Sequence, residues 1–203
     1  MNNQRNDGPS VEQLRAELER VRYRRRYMST LRSTIYMLVA LATVVLLAVL
    51  WLPVFRVSGD SMAGTLDSGD IVVTRRTTSV DRGDLVVFGC DNGKTLIKRV
   101  IGMAGDEIDL LDDGTVLLNG APLDEEYVLS PESGACDVEM PLVIPDGCLF
   151  VMGDTRAESV DSRNAAIGCI SEDQVVGCVI ARVWPLKGME LFLPAGQLWR
   201  NRA

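Results

Sequence analysis

The chain has 203 residues, a formal net charge of −7 and no histidine. The lack of histidine excludes Ser-His-Asp and Cys-His catalysis and the zinc sites that need an imidazole ligand. Residues 1–33 hold eight arginines and four acidic residues, so a basic start precedes an acidic body, and this charge pattern disfavours nucleic acid as a partner.

The first quarter of the chain predicts a membrane anchor. Apolar residues spaced three and four apart between residues 11 and 21 indicate a short amphipathic helix, and residues 34–52 are uncharged. A helix of that length, at ~1.5 Å per residue, covers the ~30 Å hydrocarbon core. Because arginines crowd the approach to this segment, we expect the N-terminus in the cytoplasm and the body outside.

A cleaved export signal is the alternative interpretation. The apolar segment is longer than the apolar part of a signal peptide, and no Ala-x-Ala cleavage site follows it. An uncleaved anchor is therefore favoured. The chain is expected to divide into a basic cytoplasmic segment (1–33) with the short amphipathic helix, a transmembrane helix (34–53) and an extracytoplasmic domain (54–203).

The remainder of the chain predicts an all-β domain. Short β-rich runs alternate with Gly-Asp, Asp-Gly and Asn-Gly turns, and no helical periodicity follows residue 55. The predicted strands are Ile71–Thr74, Leu85–Phe88, Thr95–Ile101, Glu107–Leu111, Thr115–Leu118, Cys148–Met152 and Val175–Val183.

Two residues suggest nucleophilic catalysis. Ser61 lies in a glycine-rich, turn-like stretch, and a serine attacks only when a base takes its proton. Lys98 shares one face of a predicted strand with Leu96 and Val100, where desolvation would make its amine neutral near pH 7–8 and fit to be that base. An ordinary turn serine and a lysine that reaches solvent are the alternatives.

Residues 153–163 form the third notable stretch. Acidic and basic side chains alternate there with glycine and serine, a pattern typical of a rigid polar turn held by ion pairs or of a charged surface loop. Ser159 or Ser162 can hydrogen-bond a neutral Lys98 and orient its lone pair.

Five motifs follow one another along the chain. They are Ser61-Met62-x-x-Thr65-Leu66, Gly69-Asp70-Ile71-Val72-Val73, Gly83-Asp84-Leu85-Val86-Val87-Phe88, Lys98-Arg99-Val100-Ile101-Gly102-x-x-Gly105-Asp106 and Gly153-Asp154-x-Arg156-x-x-Ser159-x-Asp161-Ser162-Arg163. In this order they resemble the motifs of type I signal peptidases, membrane-anchored serine proteases that use a Ser–Lys dyad. The resemblance spans roughly residues 54–185.

The resemblance implies a fold, a chemistry and a substrate. The fold is a mostly antiparallel, coiled β-sheet, and the substrate is an exported precursor protein with small residues at the first and third positions before the cut. Ser61 would be the nucleophile, Lys98 the general base and Ser159 the lysine's hydrogen-bond partner. The residues that brace the site would be Arg99, Asp154, Asp161 and Arg163. The mechanism needs no metal or organic cofactor. Membrane lipid is the other expected partner. The apolar residues 191–194 and Trp199 either contact this lipid, or pack on the core or form a loose tail.

Two positions depart from the family's usual pattern, since Gly64 stands where proline is usual and Thr155 stands where asparagine is usual. Gly59 offers no hydroxyl to an oxyanion, unlike one branch of the family, which has serine there. Because of Gly64, an alternative function stays open: a specialised or non-catalytic signal-peptidase-like factor in pilus or surface-protein assembly. A self-cleaving Ser–Lys repressor, in contrast, would need a DNA-binding domain and no membrane span.

All five cysteines follow the apolar segment, which suits either disulfides in an oxidising exterior or small buried apolar side chains. If bridges form, proximity in sequence favours Cys136–Cys148 and Cys169–Cys178.

Overall fold

The computed structural model describes residues 11–77, 79–90, 93–128 and 134–192. It divides into two compact units after Leu50, a helix and a β-rich unit. The helix, α1, spans Val11–Trp51 without interruption. The predicted amphipathic helix and the predicted membrane segment are thus parts of one element. No glycine or proline occurs within it, and it ends two residues before Pro53, which lacks the N–H that a helix interior needs.

Part of α1 is suited to a membrane. The 26 residues Arg22–Leu47 are long and apolar enough to cross a bilayer by length and composition. Apolar side chains along this stretch, such as Leu38 and Val44, are more than half exposed, as expected of a surface that faces lipid.

The β-rich unit contains two antiparallel sheets. Its strands are β1 (Val54–Arg56), β2 (Ile71–Arg75), β3 (Leu85–Gly89), β4 (Thr95–Met103), β5 (Glu107–Leu110), β6 (Val116–Leu118), β7 (Ala121–Pro122), β8 (Leu142–Val143), β9 (Cys148–Met152), β10 (Ile170–Ser171), β11 (Val175–Trp184) and β12 (Glu190–Leu191). One sheet has the order β1-β2-β11-β3-β4-β9-β10, with β12 on β11, and the other has the order β7-β6-β5-β8. All seven predicted runs form strands. The unpredicted strands are two or three residues long, too short to show an alternating pattern.

Strand register positions the two cations of β4. Val86 of β3 lies opposite Lys98, and Leu85 lies opposite Arg99, so the two cations point to opposite faces of the sheet. Arg99 also lies opposite Met152, the last residue of β9. The stretch that begins at Gly153 therefore starts beside Arg99.

The cysteines are all free thiols in this structure. Cys178 packs in the apolar cluster around Val86 and Phe88, whereas Cys169 packs against a different cluster around Ile108 and Phe150. Neither of the two bridges considered from sequence, Cys136–Cys148 and Cys169–Cys178, is formed. For Cys169 and Cys178 the reason is that the two side chains pack in different apolar clusters.

Candidate active site

Lys98 is buried among apolar side chains. It is 2% exposed, and Leu96 and Val100, which share its face of β4, belong to the apolar cluster on that side of the sheet. Its Nζ donates a hydrogen bond to Ser159 Oγ at 2.9 Å. Burial lowers the pKa of Lys98 to about 8, because the charged ammonium loses its hydration, although the nearby carboxylate of Asp161 acts in the opposite direction.

Ser61 lies in the turn that follows β1. Its carbonyl oxygen accepts a hydrogen bond from the backbone N–H of Thr155 at 3.1 Å. It is half-buried and lines a cleft of about 120 Å³ whose walls come from β1 and from the start of β4, including Phe55, Val57 and Ile97. The Ser61 side chain is therefore accessible from the cleft, and its backbone is held by the hydrogen bond from Thr155.

Gly153 brings the two serines and the lysine together. A Cβ atom at this position would lie 2.5 Å from the carbonyl oxygen of Ser61 and would also overlap Ser159 Oγ. The turn of Ser61 and the hydrogen-bond partner of Lys98 thus both press against the bare Cα of Gly153. No hydrogen bond joins Ser61 Oγ to Lys98 Nζ within the described residues.

Asp161 and Arg163 form a buried ion pair behind Ser159. Both side chains are at most 1% exposed, and Arg163 donates from Nε and Nη2 to the two carboxylate oxygens at 2.9 Å. Asp161 also accepts the backbone N–H of Gly153 at 2.9 Å. Burial alone would raise the pKa of Asp161, but Arg163, the Gly153 N–H and the Ser159 hydroxyl together hold it below its ordinary value.

Asp154 and Arg99 form a second pair on the opposite face of β4. Arg99 donates to both carboxylate oxygens of Asp154, from Nε at 2.9 Å and from Nη2 at 2.6 Å. Thr65 Oγ1 donates to Asp154 Oδ2 at 2.5 Å, which ties the turn of Ser61 to this pair. The guanidinium of Arg99 lies 4.0 Å from the ring centroid of Tyr127, a cation–π contact.

The structure thus brings every predicted site residue into one region. The stretch 153–163 is a partly buried polar turn, and its ion pairs are not all internal, since Asp154 pairs with Arg99 of β4. Of the two serines considered for Lys98, Ser159 takes that place, and Ser162 Oγ instead accepts the backbone N–H of Val151 at 2.9 Å. No group of three or more Cys, Asp or Glu side chains suited to a metal ion occurs within the described ranges.

Comparison with known proteins yields one family. A family model described as signal peptidase, peptidase S26, matches residues 29–184, which is most of the chain. The chain belongs to this family. It is 33% identical over 148 residues to signal peptidase I of Bacillus caldolyticus, an alignment that covers 66% of this chain and 80% of that protein. It is also 35% identical over 150 residues to signal peptidase IB of Staphylococcus aureus strain N315, covering 64% of this chain and 77% of that protein. A crystal structure of a signal peptidase I from Enterococcus faecalis V583 has 30% identity and a TM-score of 0.42, covering 49% of this chain and 98% of that one.

Family membership confirms several sequence predictions. The chain is a serine-type signal peptidase, its fold is mainly antiparallel β, and the apolar part of α1 is consistent with membrane anchoring. Its substrates are precursor proteins that carry signal peptides.

The partners of two residues near the site of this signal peptidase, Arg156 and Thr155, were not predicted from the sequence. Arg156 donates to both carboxylate oxygens of Glu125, at 2.9 and 2.5 Å, across 31 residues of chain. Thr155 contacts the turn of Ser61 with both its amide and its hydroxyl. A buried arginine in a polar motif does signal a partner, but nothing in the sequence identifies Glu125 among the 28 acidic residues.

Proposed function

We propose that Ser61 is the nucleophile and Lys98 the general base with which this protein removes signal peptides from exported precursors. The observation that carries the proposal is the buried Lys98 amine, hydrogen-bonded to Ser159 and held next to the turn of Ser61 by Gly153. With a pKa of about 8, a substantial fraction of Lys98 is neutral near physiological pH and can accept a proton.

The proposed reaction runs through an acyl-enzyme. Neutral Lys98 takes the proton of Ser61 Oγ as this oxygen attacks the scissile carbonyl carbon, and the Ser61 N–H stabilises the oxyanion that forms. The lysine then gives its proton to the leaving amine as the peptide bond breaks. Water, deprotonated by Lys98, hydrolyses the ester and releases Ser61.

Ser159 has a specific role in this scheme. A neutral amine has two N–H donors and one lone pair. Because the amine donates to Ser159 Oγ, its lone pair is left for Ser61. The Asp161–Arg163 pair supports Ser159 and Gly153, since Asp161 accepts the Gly153 N–H. The Asp154–Arg99 pair supports the turn of Ser61 through the hydrogen bond from Thr65 to Asp154. We assign these four charged residues a structural rather than a chemical part.

The cleft beside Ser61 suits an extended peptide with small side chains. β1 is an edge strand of the larger sheet, so its free backbone groups can pair with an added strand. The cleft between β1 and the start of β4 is only about 120 Å³. This volume favours alanine-sized residues at the first and third positions before the cut.

We place the β-rich unit on the outer face of the cytoplasmic membrane, with the N-terminus in the cytoplasm. The arginine-rich start of α1 supports this orientation. Of the proposed lipid-contacting residues, Leu191 is 77% exposed, whereas Phe192 packs against an apolar cluster of the sheet. Residues 193, 194 and 199 lie outside the described part of the chain.

The test is cleavage of a precursor with an Ala-x-Ala site by the detergent-solubilised full chain across a pH series. We expect activity to rise with an apparent pKa near 8 and to be lost in Ser61→Ala and Lys98→Met. Lys187→Met, which changes an exposed lysine, is the matched control and should cleave normally. Precursor that is bound but not cut by the unmutated protein would instead support the non-catalytic assembly role. Cleavage by Ser61→Ala would refute the dyad.

A further inference from the structure

The turn that carries Ser61 is held by its own hydrogen bonds and by contacts with a second loop. Gly64 has φ +94°, and the N–H groups of Thr65 and Leu66 both donate to the carbonyl oxygen of Met62, at 3.1 and 2.8 Å. A glycine in the left-handed region restricts the backbone little by itself. Contacts from outside the turn therefore add to these internal hydrogen bonds in holding Ser61 in one orientation.

Thr155 supplies two of these contacts, one on each side of Ser61. Its Oγ1 donates to the carbonyl oxygen of Asp60 at 2.9 Å, and its backbone N–H donates to the carbonyl oxygen of Ser61 at 3.1 Å. The two acceptors belong to the two peptide units that flank the Ser61 Cα. Thr155 therefore restrains both of the peptide planes that set the position of this residue.

The first of these peptide planes also contains the N–H of Ser61. The Asp60 carbonyl and the Ser61 N–H lie in one rigid unit and point in opposite directions, so holding the oxygen also aims the N–H. Within the described residues this N–H has no hydrogen-bond acceptor. A hydrogen bond accepted by the Asp60 oxygen also polarises the peptide unit and strengthens its N–H as a donor.

We propose that Thr155 is a positioning residue whose hydroxyl aims the Ser61 N–H at the developing oxyanion. This inference rests on the proposed role of Ser61 as nucleophile and adds to it a residue outside the dyad. It also gives a role to one position at which this chain departs from its family's usual residue.

The expected effect is moderate because the Asp60 oxygen has a second donor. The backbone N–H of Ala63 donates to the same oxygen at 3.0 Å and would keep part of the alignment. Removal of an oxyanion donor lowers kcat by roughly 10²–10³-fold, so loss of the alignment alone should lower it by about tenfold.

The experiment compares Thr155→Val, which removes the hydroxyl at nearly constant shape, with Thr155→Ser, which keeps it. In Thr155→Val we expect kcat to fall by about tenfold with KM unchanged, since the oxyanion exists only in the transition state. Affinity for a peptide boronic acid, whose tetrahedral adduct mimics the transition state, should fall by a similar factor, while affinity for the product peptide should not change. Thr155→Ser should restore most of the rate. The apparent pKa of the pH profile should stay constant, because Thr155 has no hydrogen bond to Lys98 in the described part of the chain.

Thr77→Val is the matched control, because Thr77 Oγ1 also donates to a backbone carbonyl, that of Ser79, but in an exposed loop. It should leave kcat unchanged. Unchanged kcat and unchanged boronic acid affinity in Thr155→Val, with Ser61→Ala inactive, would overturn the positioning role and leave the proposed function intact. A shifted pH profile, or a loss that follows the folded fraction and is not restored by Thr155→Ser, would also overturn it. Cleavage by Ser61→Ala would overturn the proposed function and the positioning role together.

Discussion

Replacing Lys98 with methionine should abolish activity and stabilise the fold. Lys98 is 2% exposed, and burial lowers its pKa from 10.5 to about 8. The folded state thus binds its proton less tightly than the unfolded state. At pH 7 this difference costs about 3 kcal/mol of folding free energy. Because the unfolded state binds more protons between the two pKa values, stability attributable to Lys98 rises as pH increases through this window and is lowest below it.

Methionine has a similar volume and no charge, so it should remove this penalty. The variant loses the hydrogen bond to Ser159, which costs about 1 kcal/mol, and a net gain of about 2 kcal/mol is expected at pH 7. The free-energy gap between variant and unmutated protein should then narrow by roughly 2 kcal/mol between pH 7 and pH 9.5.

The assay is urea unfolding of the full chain in detergent, followed by tryptophan fluorescence at several pH values. Lys187→Met is the control, because Lys187 is exposed and its replacement should produce a small, pH-independent change. A gap for Lys98→Met that stays constant from pH 7 to pH 9.5 would contradict this prediction, since it would mean that burial does not lower the pKa of Lys98.

Three further predictions concern the backbone and the buried carboxylate. Gly153→Ala should lower cleavage at least tenfold and destabilise the fold by about 1–3 kcal/mol, because its Cβ would meet the Ser61 carbonyl oxygen at 2.5 Å. Gly89→Ala, with open space at its Cβ, is the control, and equal losses in both variants would contradict the close-contact explanation. Gly64→Pro should reduce cleavage rather than improve it, since proline requires φ near −65° and this position has φ +94°; higher activity would show that the turn can adopt the other conformation. Asp161 has a lowered pKa, so it contributes stability above its unfolded pKa of about 4 that is lost as pH falls through the folded value. Asp161→Asn should therefore be less stable at pH 7, and its stability should fall less steeply as pH decreases, as monitored by circular dichroism. Stability that falls as steeply with decreasing pH as in the unmutated protein would argue against this.

The local strand pattern predicted only part of the geometry of the candidate site. Alternation in β4 predicted that Lys98 shares one face of the strand with Leu96 and Val100, and the structure buries Lys98 on that face. The same alternation carried no information about the partner of Arg99. That partner is Asp154, 55 residues away, and the pairing depends on the register between β4 and β9.

Local sequence patterns were enough to predict the helix and the longer strands. A long uncharged segment without glycine or proline dictates a continuous helix, and alternating apolar runs between glycine turns dictate strands. Family motifs also determined which side chains would gather at the site. The packing of distant segments sets how they meet: Ser159 rather than Ser162 accepts the hydrogen bond of Lys98, Thr155 holds both peptide planes of Ser61, and Cys169 and Cys178 pack in different apolar clusters. These contacts join residues distant in sequence, and their geometry depends on strand register and on the packing of loops, which no local pattern encodes.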